Sequence, residues 1–378
     1  MSDLDKYRSE IDNVDREIAK LFEKRMDMVL KIADYKKKNN LQVFHKNRED
    51  EVIKKAISNI NNKEYSEEVT KFFISMMEIS KGKQKKVLSE EKELYFKFKR
   101  KEIDKSKRIG YPGVVGSFTE EAAIKFFGEE SNRKAYDEFE DVFKALKNDE
   151  IDYGIVPIEN SSTGAISANL DFLRNYGFYV VGEECIKIEQ NLVGIKGTKL
   201  EEVKEVYSHI QGLQQSSEFL KKHSCWKLIP FHNTATSAKF VEDSRDNSKV
   251  AIASKRAAKL YNLEVLKERI NNESDNSTRF VIVSKELNVV HDADKISVVF
   301  SLENEVGTLY GLIRHFADNN INMIKIESRP MKGITWRYFL YIDFEGCIES
   351  SKVVNALKLI QKSSSYFELL GAYKKKIH

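Results

Sequence analysis

Proline is nearly absent from this chain, with four among 378 residues, and all of them (Pro112, Pro157, Pro230, Pro330) lie beyond residue 109. Glycine divides the same way, since Gly82 alone of 17 precedes that point. An opening stretch so poor in both breakers excludes a turn-rich β domain there and reads as helix. Cysteine is scarce too. Cys185, Cys225 and Cys347 are odd in number and far apart, which excludes a disulfide framework and points to a reducing cytoplasm. No apolar run approaches the ~18 residues of a membrane helix, and the first residues hold no signal-peptide core. Neither sign of charge dominates: 63 Lys and Arg against 59 Asp and Glu leave +4, a bias that suits small anions as well as nucleic acid. No G-x-G-x-x-G, G-x-S-x-G or Walker pattern occurs, which disfavours nicotinamide-dependent, serine-hydrolase and P-loop chemistry. His209, His223 and His232 lack metal-ligand spacing with cysteine or acid, so neither metal nor cofactor is expected.

What is present is organised in blocks. The length suits two or three domains, and 41% hydrophobic with 32% charged residues suits a globular chain. Residues 1–90 read as helices and 91–107 as a Lys/Glu-rich linker. Residues 108–285 alternate short β-rich runs with helical patterns, the sign of an α/β domain with a mostly parallel sheet. Residues 295–378 run strand, helix, strand, strand, helix, strand, a ferredoxin-like order.

The first helix has apolar residues at 3–4 spacing: Leu4, Tyr7, Ile11, Val14, Ile18, Leu21, then Met28, Ile32 and Tyr35. Position 25 should be apolar and is Arg25. Lys36 lies about 20° around the helix and about 16 Å along it, so the two cations can lean over a small dianion. Arg8 is about 25 Å from Arg25 and about 100° away, too far to serve the same site except from a partner chain. A later helix, opened by Ser66, Glu67 and Glu68, turns polar at Ser80 and Gln84. A helix between them begins near Asn47 with Arg48 and Glu49. The segment resembles the all-helical chorismate mutases. That resemblance implies an intertwined dimer, with Arg8 crossing over, Arg25 and Arg48 holding carboxylates, and Lys36 and Gln84 serving the ether oxygen. Glu49 and Ser80 complete the set; His45 departs from the family, which often has a carboxylate there.

In the α/β segment, hydroxyl and amide residues gather where strands feed helices: Ser117 after Gly113–Gly116, Glu159-Asn160-Ser161 after a buried-looking strand, Ser208, Thr236 and Ser254. Helix N-termini offer free N–H groups to carboxylates, so several together suggest an anion site at strand ends. The order of the motifs GYPGVVGSFTEEAA (110–123), VPIENSSTGAI (156–166), YSHIQGLQQ (207–215), NTATSA (233–238), AIASKRAA (251–258) and STRFVIV (277–283) resembles prephenate dehydratase. The resemblance implies two lobes around a cleft, like a periplasmic binding protein. Thr278 would be the acid or hydroxyl donor and Arg279 a carboxylate clamp. Ser117, Glu159, Asn160, Ser161, Ser208, Gln215 and Thr236 would bind substrate. Val114 or Val115, and Ile210, stand where that family usually has proline.

The last segment resembles the ACT domains, which bind amino acids at domain interfaces. Gly307, Thr308 and Leu309 open its first helix and Glu327, Ser328 and Arg329 end its second strand, and the resemblance implies that they bind phenylalanine. Val306 replaces a common proline. Together the three resemblances imply a cytoplasmic homodimer or higher homo-oligomer in phenylalanine biosynthesis, acting on chorismate and prephenate, with no nucleic-acid or membrane partner. A sensor that binds without chemistry is the main alternative, and the cations in the N-terminal seam count against it.

Overall fold

The computed structural model describes residues 2–38, 46–88, 98–331, 333–334 and 336–376. They fall into two compact units, residues 1–93 and 94–378. Among the described residues no helix is long and apolar enough to cross a membrane.

The first unit is helical. Helix α1 (Asp3–Lys38) and α2 (Lys46–Asn59) both pack on α3 (Ser66–Leu88). Asp3 and Asp5 at the start of α1, and Glu67 and Glu68 at the start of α3, complement the helix dipoles. The apolar spacing in α1 turns out to mark a face different from the one that packs within the chain. Leu4 through Leu21, Met28, Ile32 and Tyr35 are all exposed, from 45% at Ile18 to 66% at Leu21. The face that meets α3 carries Val29 and Ala33, which are buried with Met76 and Met77. One helix thus has two apolar faces, and the described residues cover only one.

The second unit begins with β1 (Lys99–Arg100), β2 (Ile109–Pro112), α4 (Phe118–Phe127), β3 (Arg133–Tyr136), α5 (Phe139–Lys147) and β4 (Tyr153–Asn160). Then come β5 (Gly164–Ala165), α6 (Ser167–Tyr176) and β6 (Tyr179–Lys187). A second sheet is built from β7 (Asn191–Gly194), β8 (Glu205–Ser208), β9 (Lys227–Pro230), β10 (Lys249–Ala253) and β11 (Glu264–Lys267). Its helices are α7 (Ile210–Gln215), α8 (Ser217–Lys221), α9 (Thr234–Ser244) and α10 (Lys255–Leu260). The chain returns to the first sheet through β12 (Ser277–Ser284) and reaches β13 (Asn288–Val289), which pairs with β1. Residues 99–100, expected in a linker, are therefore tied into this unit. The C-terminal stretch is β14 (Lys295–Ser301), α11 (Thr308–Asp318), β15 (Met323–Pro330), β16 (Tyr338–Glu345), α12 (Ser351–Ser363) and β17 (Tyr366–Tyr373).

Both sheets of the α/β region are mixed, not mostly parallel. β2 lies parallel to β3 and β4, but β12 inserts between β4 and β6 antiparallel to both. In the second sheet β10, β8 and β9 are parallel, whereas β7 opposes β10 and β11. The antiparallel strands lie next to the two crossings between sheets, where the chain reverses instead of passing through a helix.

The C-terminal strands, in the order β15-β16-β14-β17, continue the first sheet past β6. One face is covered by α11 and α12 through Phe300, Phe316, Phe344 and Leu357. On the other face Val299, Tyr341, Leu370 and Tyr373 share a core with Phe143, Leu173 and Val180. The join is narrow: β17 meets β6 at Gly371 and Val180. A Cβ on Gly371 would come within 2.0 Å of the Val180 carbonyl oxygen, so only glycine allows this approach. Gly371→Ala is expected to cost about 1–3 kcal/mol, the scale of overpacking, and to lower the denaturation midpoint; an unchanged midpoint would mean that the two strands do not meet there.

Candidate active sites

In the helical unit, Arg25 of α1 donates to the Ser80 hydroxyl of α3, which itself donates to the Met76 carbonyl at 2.7 Å. Lys36 Nζ donates to Gln84 Oε1 at 3.4 Å. The spacing of these pairs makes the cations converge. Eleven residues separate Arg25 from Lys36, about 16 Å of rise, but four separate Ser80 from Gln84, about 6 Å. Ser80 is buried and Arg25 half-buried; burial lowers the Arg25 pKa but a guanidinium stays charged. Arg8 is exposed on the far half of α1, and a single chain does not bring it to this cluster. The side chains of Arg48 and Glu49, and all of His45, lie outside the described residues.

The two sheets of the second unit face a cleft of about 190 Å³. Ser162 and Thr163 line it from the loop after β4, Gln211, Gln214 and Gln215 from α7, and Asn271, Asn272, Glu273 and Asn276 from the segment entering β12. Behind Asn276, Thr278 pairs with Asn160 across β12 and β4. The Asn160 amide donates to Thr278 Oγ1 at 2.9 Å and to Asn276 Oδ1 at 2.7 Å, while its carbonyl oxygen accepts from the Ser162 and Thr163 N–H groups. Because Thr278 accepts from Asn160, its own proton is left to donate, and no acceptor for it is found among the described residues. Ser161 Oγ accepts from the Ser277 N–H at 2.9 Å and fastens the loop to the same strand. Gln215 Oε1 accepts from Gln190 at 3.1 Å.

Several expected residues do something else. Ser117 caps α4 by accepting from the Glu120 N–H, and Thr236 forms a reciprocal capping box with Asn233. Ser208 is fully buried and donates to the Ile252 carbonyl at 3.0 Å, so it does not line the cleft. His209 caps α7, its Nδ1 accepting from the Gln211 N–H; burial and then His232 depress its pKa, which suits a neutral acceptor. The larger correction concerns Arg279 and Glu159. Side chains alternate along a strand, so Arg279 points to the face opposite Thr278. There its Nη1 lies 2.8 Å from Asp343 and 3.2 Å from Glu183, and its Nη2 lies 3.2 Å from Glu159. An arginine so engaged is no substrate clamp.

Cleft residues that sequence reasoning missed are Ser162, Thr163, Gln211, Gln214, Asn271, Asn272, Glu273 and Asn276. The signal was there. The polar run Asn271–Ser277 directly precedes Thr278, but a polar run reads as loop until its neighbours are known.

In the C-terminal stretch, Gly307 caps α11 with φ of +86° and Thr308 donates to the Glu303 and Glu305 carbonyls. Leu309 is exposed, as are Val306, Tyr310 and Ile326. Ser301 and Arg329 both pair with Phe339, so the Gly307 loop and the Glu327–Arg329 strand end lie at the same end of the sheet. Ser328 is exposed and Glu327 half-buried. Arg329 Nη2 lies 2.9 Å from Asp171 of α6, which ties this strand end to that helix.

The chain matches the chorismate mutase type II family over residues 7–85 and the prephenate dehydratase family over residues 109–288. It is 31% identical to the bifunctional chorismate mutase/prephenate dehydratase of Aquifex aeolicus, over 99% of each chain. It is 35% identical to the prephenate dehydratase of Methanocaldococcus jannaschii, over 71% of this chain and 98% of that one. A crystal structure of prephenate dehydratase from Arthrobacter aurescens in complex with L-Phe superposes with a TM-score of 0.65 at 29% identity, over 71% of this chain and 90% of that one. With a full-length relative above 30% identity and both catalytic segments matched in order, the chain belongs to the bifunctional chorismate mutase/prephenate dehydratase family.

Proposed function

We infer that this chain carries out two consecutive steps of phenylalanine biosynthesis, rearranging chorismate to prephenate and converting prephenate to phenylpyruvate. The observation that carries the reading is the end-to-end family match, with cations on neighbouring acceptors in one unit and a cleft lined by amides and hydroxyls in the other. The first step is pericyclic and needs no nucleophile. Arg25, with Arg48, would hold the carboxylates in a compact conformer, and Lys36 and Gln84 would stabilise charge growing at the ether oxygen. Glu49 and Ser80 would orient the remaining groups. Arg8 would come from a second copy, and the uncovered face of α1 from Leu4 to Leu21 supports a homodimer formed through that helix.

In the second step prephenate loses carbon dioxide and water as its ring becomes aromatic. Thr278 would donate a hydrogen bond to the departing hydroxyl, held in place by Asn160. The Gln215 amide, whose oxygen already accepts from Gln190, would turn its NH2 toward a carboxylate. Residues 295–378 would act as a ferredoxin-like ACT domain, with 1–90 the mutase and 108–285 the dehydratase. Phenylalanine would bind beside Gly307, Thr308, Leu309, Glu327 and Ser328, where the exposed Val306, Leu309 and Ile326 offer apolar surface between two copies.

Three outcomes are expected. Arg25→Ala abolishes chorismate rearrangement while dehydration of added prephenate continues, and normal rearrangement by that variant would contradict the mutase assignment. Thr278→Val, which keeps the shape and removes the hydroxyl, lowers the dehydratase kcat by about 10²-fold or more; near-normal turnover would remove Thr278 from the mechanism. Phenylalanine binds the intact enzyme in calorimetry and inhibits dehydration. Leu309→Asp should weaken that inhibition at least about tenfold relative to the variant's own uninhibited rate, within the usual range of coupling. Absence of binding heat, or unchanged inhibition, would contradict the effector site.

A further inference from the structure

Behind the catalytic strand lies a group of six charges that neither reaction uses, three of them (Glu183, Lys295 and Asp343) buried and three partly exposed. Arg279 (β12), Lys295 (β14) and Lys325 (β15) face Glu159 (β4), Glu183 (β6) and Asp343 (β16). Lys295 Nζ lies 2.7 Å from Glu183 Oε2, and Lys325 Nζ lies 3.0 Å from Glu159 Oε2. Glu183 is 1% exposed and Asp343 7% exposed. Asp343 Oδ1 accepts from Ser297 at 2.6 Å. Burial on its own would raise the Asp343 pKa, but Arg279, Lys295 and Ser297 more than offset it and hold the carboxyl below its usual range. Three cations and three carboxylates balance, so removing a buried member such as Asp343 leaves its partners uncompensated.

The group is balanced but not saturated. Arg279 Nε is buried without a hydrogen-bond partner beside a cavity of about 20 Å³ lined by Arg279, Lys325, Asp343 and Tyr373. That is room for about one water. Arg279 also stands opposite an irregularity in the neighbouring strand β4. The register between β12 and β4 shifts just after it, from Arg279 opposite Glu159 to Phe280 opposite Pro157. The extra residue is Ile158 of β4, so the ladder beside this end of β12 is locally broken and a side-chain anchor helps decide which way the neighbouring residue of β12 aims. The neighbouring residue is Thr278. Of the three carboxylates on Arg279, two come from adjacent strands, and only Asp343 comes from the C-terminal stretch.

We propose that Asp343, acting through Arg279, is a positioning residue of the dehydratase step: its ion pair from the C-terminal sheet fixes the end of β12 that faces the β4 bulge and so aims the Thr278 hydroxyl. This rests on the reading of Thr278 as the donor. A misplacement of about 1 Å at a reacting group costs on the order of 10²-fold in rate. Loss of the anchor therefore lowers turnover more than it lowers substrate binding.

The test uses the full-length enzyme with Asp343→Asn, Arg279→Gln and the double variant, assayed with prephenate and, separately, with chorismate. Asp343→Asn should lower the dehydratase kcat by about 10- to 100-fold, with KM changed less than about threefold and chorismate rearrangement unchanged. The double variant should lose less than the product of the two single losses, because no buried charge is then left alone. Should Asp343→Asn fail to fold, the double variant carries the test: low kcat with intact KM supports the proposal, and wild-type kcat overturns it. A kcat within twofold of wild type in folded Asp343→Asn, or strictly multiplicative losses, also overturns it. Thr278→Val separates the two claims. If that variant stays active, the donor reading fails; if it is inactive while Asp343→Asn is fully active, only the positioning claim fails.

Discussion

The alternation of side chains along β12 is the constraint on which the second unit turns. Thr278 and Arg279 are neighbours in sequence, yet they cannot serve the same surface, because a strand sends successive side chains to opposite faces. One face meets Asn160, next to Asn276 at the cleft wall, and the other meets a set of charges shared with the C-terminal strands. The two faces are therefore fixed together. Whatever shifts β12 in its own plane moves the hydroxyl and the guanidinium at once. The sheet continues from β3 to β15 without a break, so the C-terminal strands reach the cleft through backbone hydrogen bonds as well as through the ion pairs.

The helical unit solves a related problem by other means. A dianion needs cations that converge, but a helix spaces its side chains along a straight axis. Long side chains on α1 lean toward closely spaced acceptors on α3, which brings Arg25 and Lys36 together over a distance that the backbone alone would keep open. The apolar face of α1 from Leu4 to Leu21 stays uncovered by the described residues.

Much of the architecture was legible in the sequence. Breakers separated helix from mixed α/β structure, and the final strand and helix order matches the spacing of its apolar runs. Motif order also led to the strand that carries Thr278. Other features were not legible, for identifiable reasons. The apolar spacing in α1 was real, but periodicity does not say whether a stripe meets the same chain or another. Ser117 and Thr236 carry the residue types that caps need, and a cap and an anion site look alike in sequence. Arg279 was read by motif as a ligand for substrate, whereas pleat geometry sends it behind the sheet to Asp343, 64 positions later in the chain. No local pattern marks that pair.

The central claim is that one polypeptide carries both chemistries and runs them in sequence. The most direct measurement supplies purified full-length protein with chorismate alone, in chelator-treated buffer, and follows chorismate, phenylpyruvate and carbon dioxide together. The account predicts that each chorismate consumed ends as one phenylpyruvate and one carbon dioxide, with prephenate only as a passing intermediate. Chorismate left unchanged, or prephenate accumulating without phenylpyruvate, would contradict it.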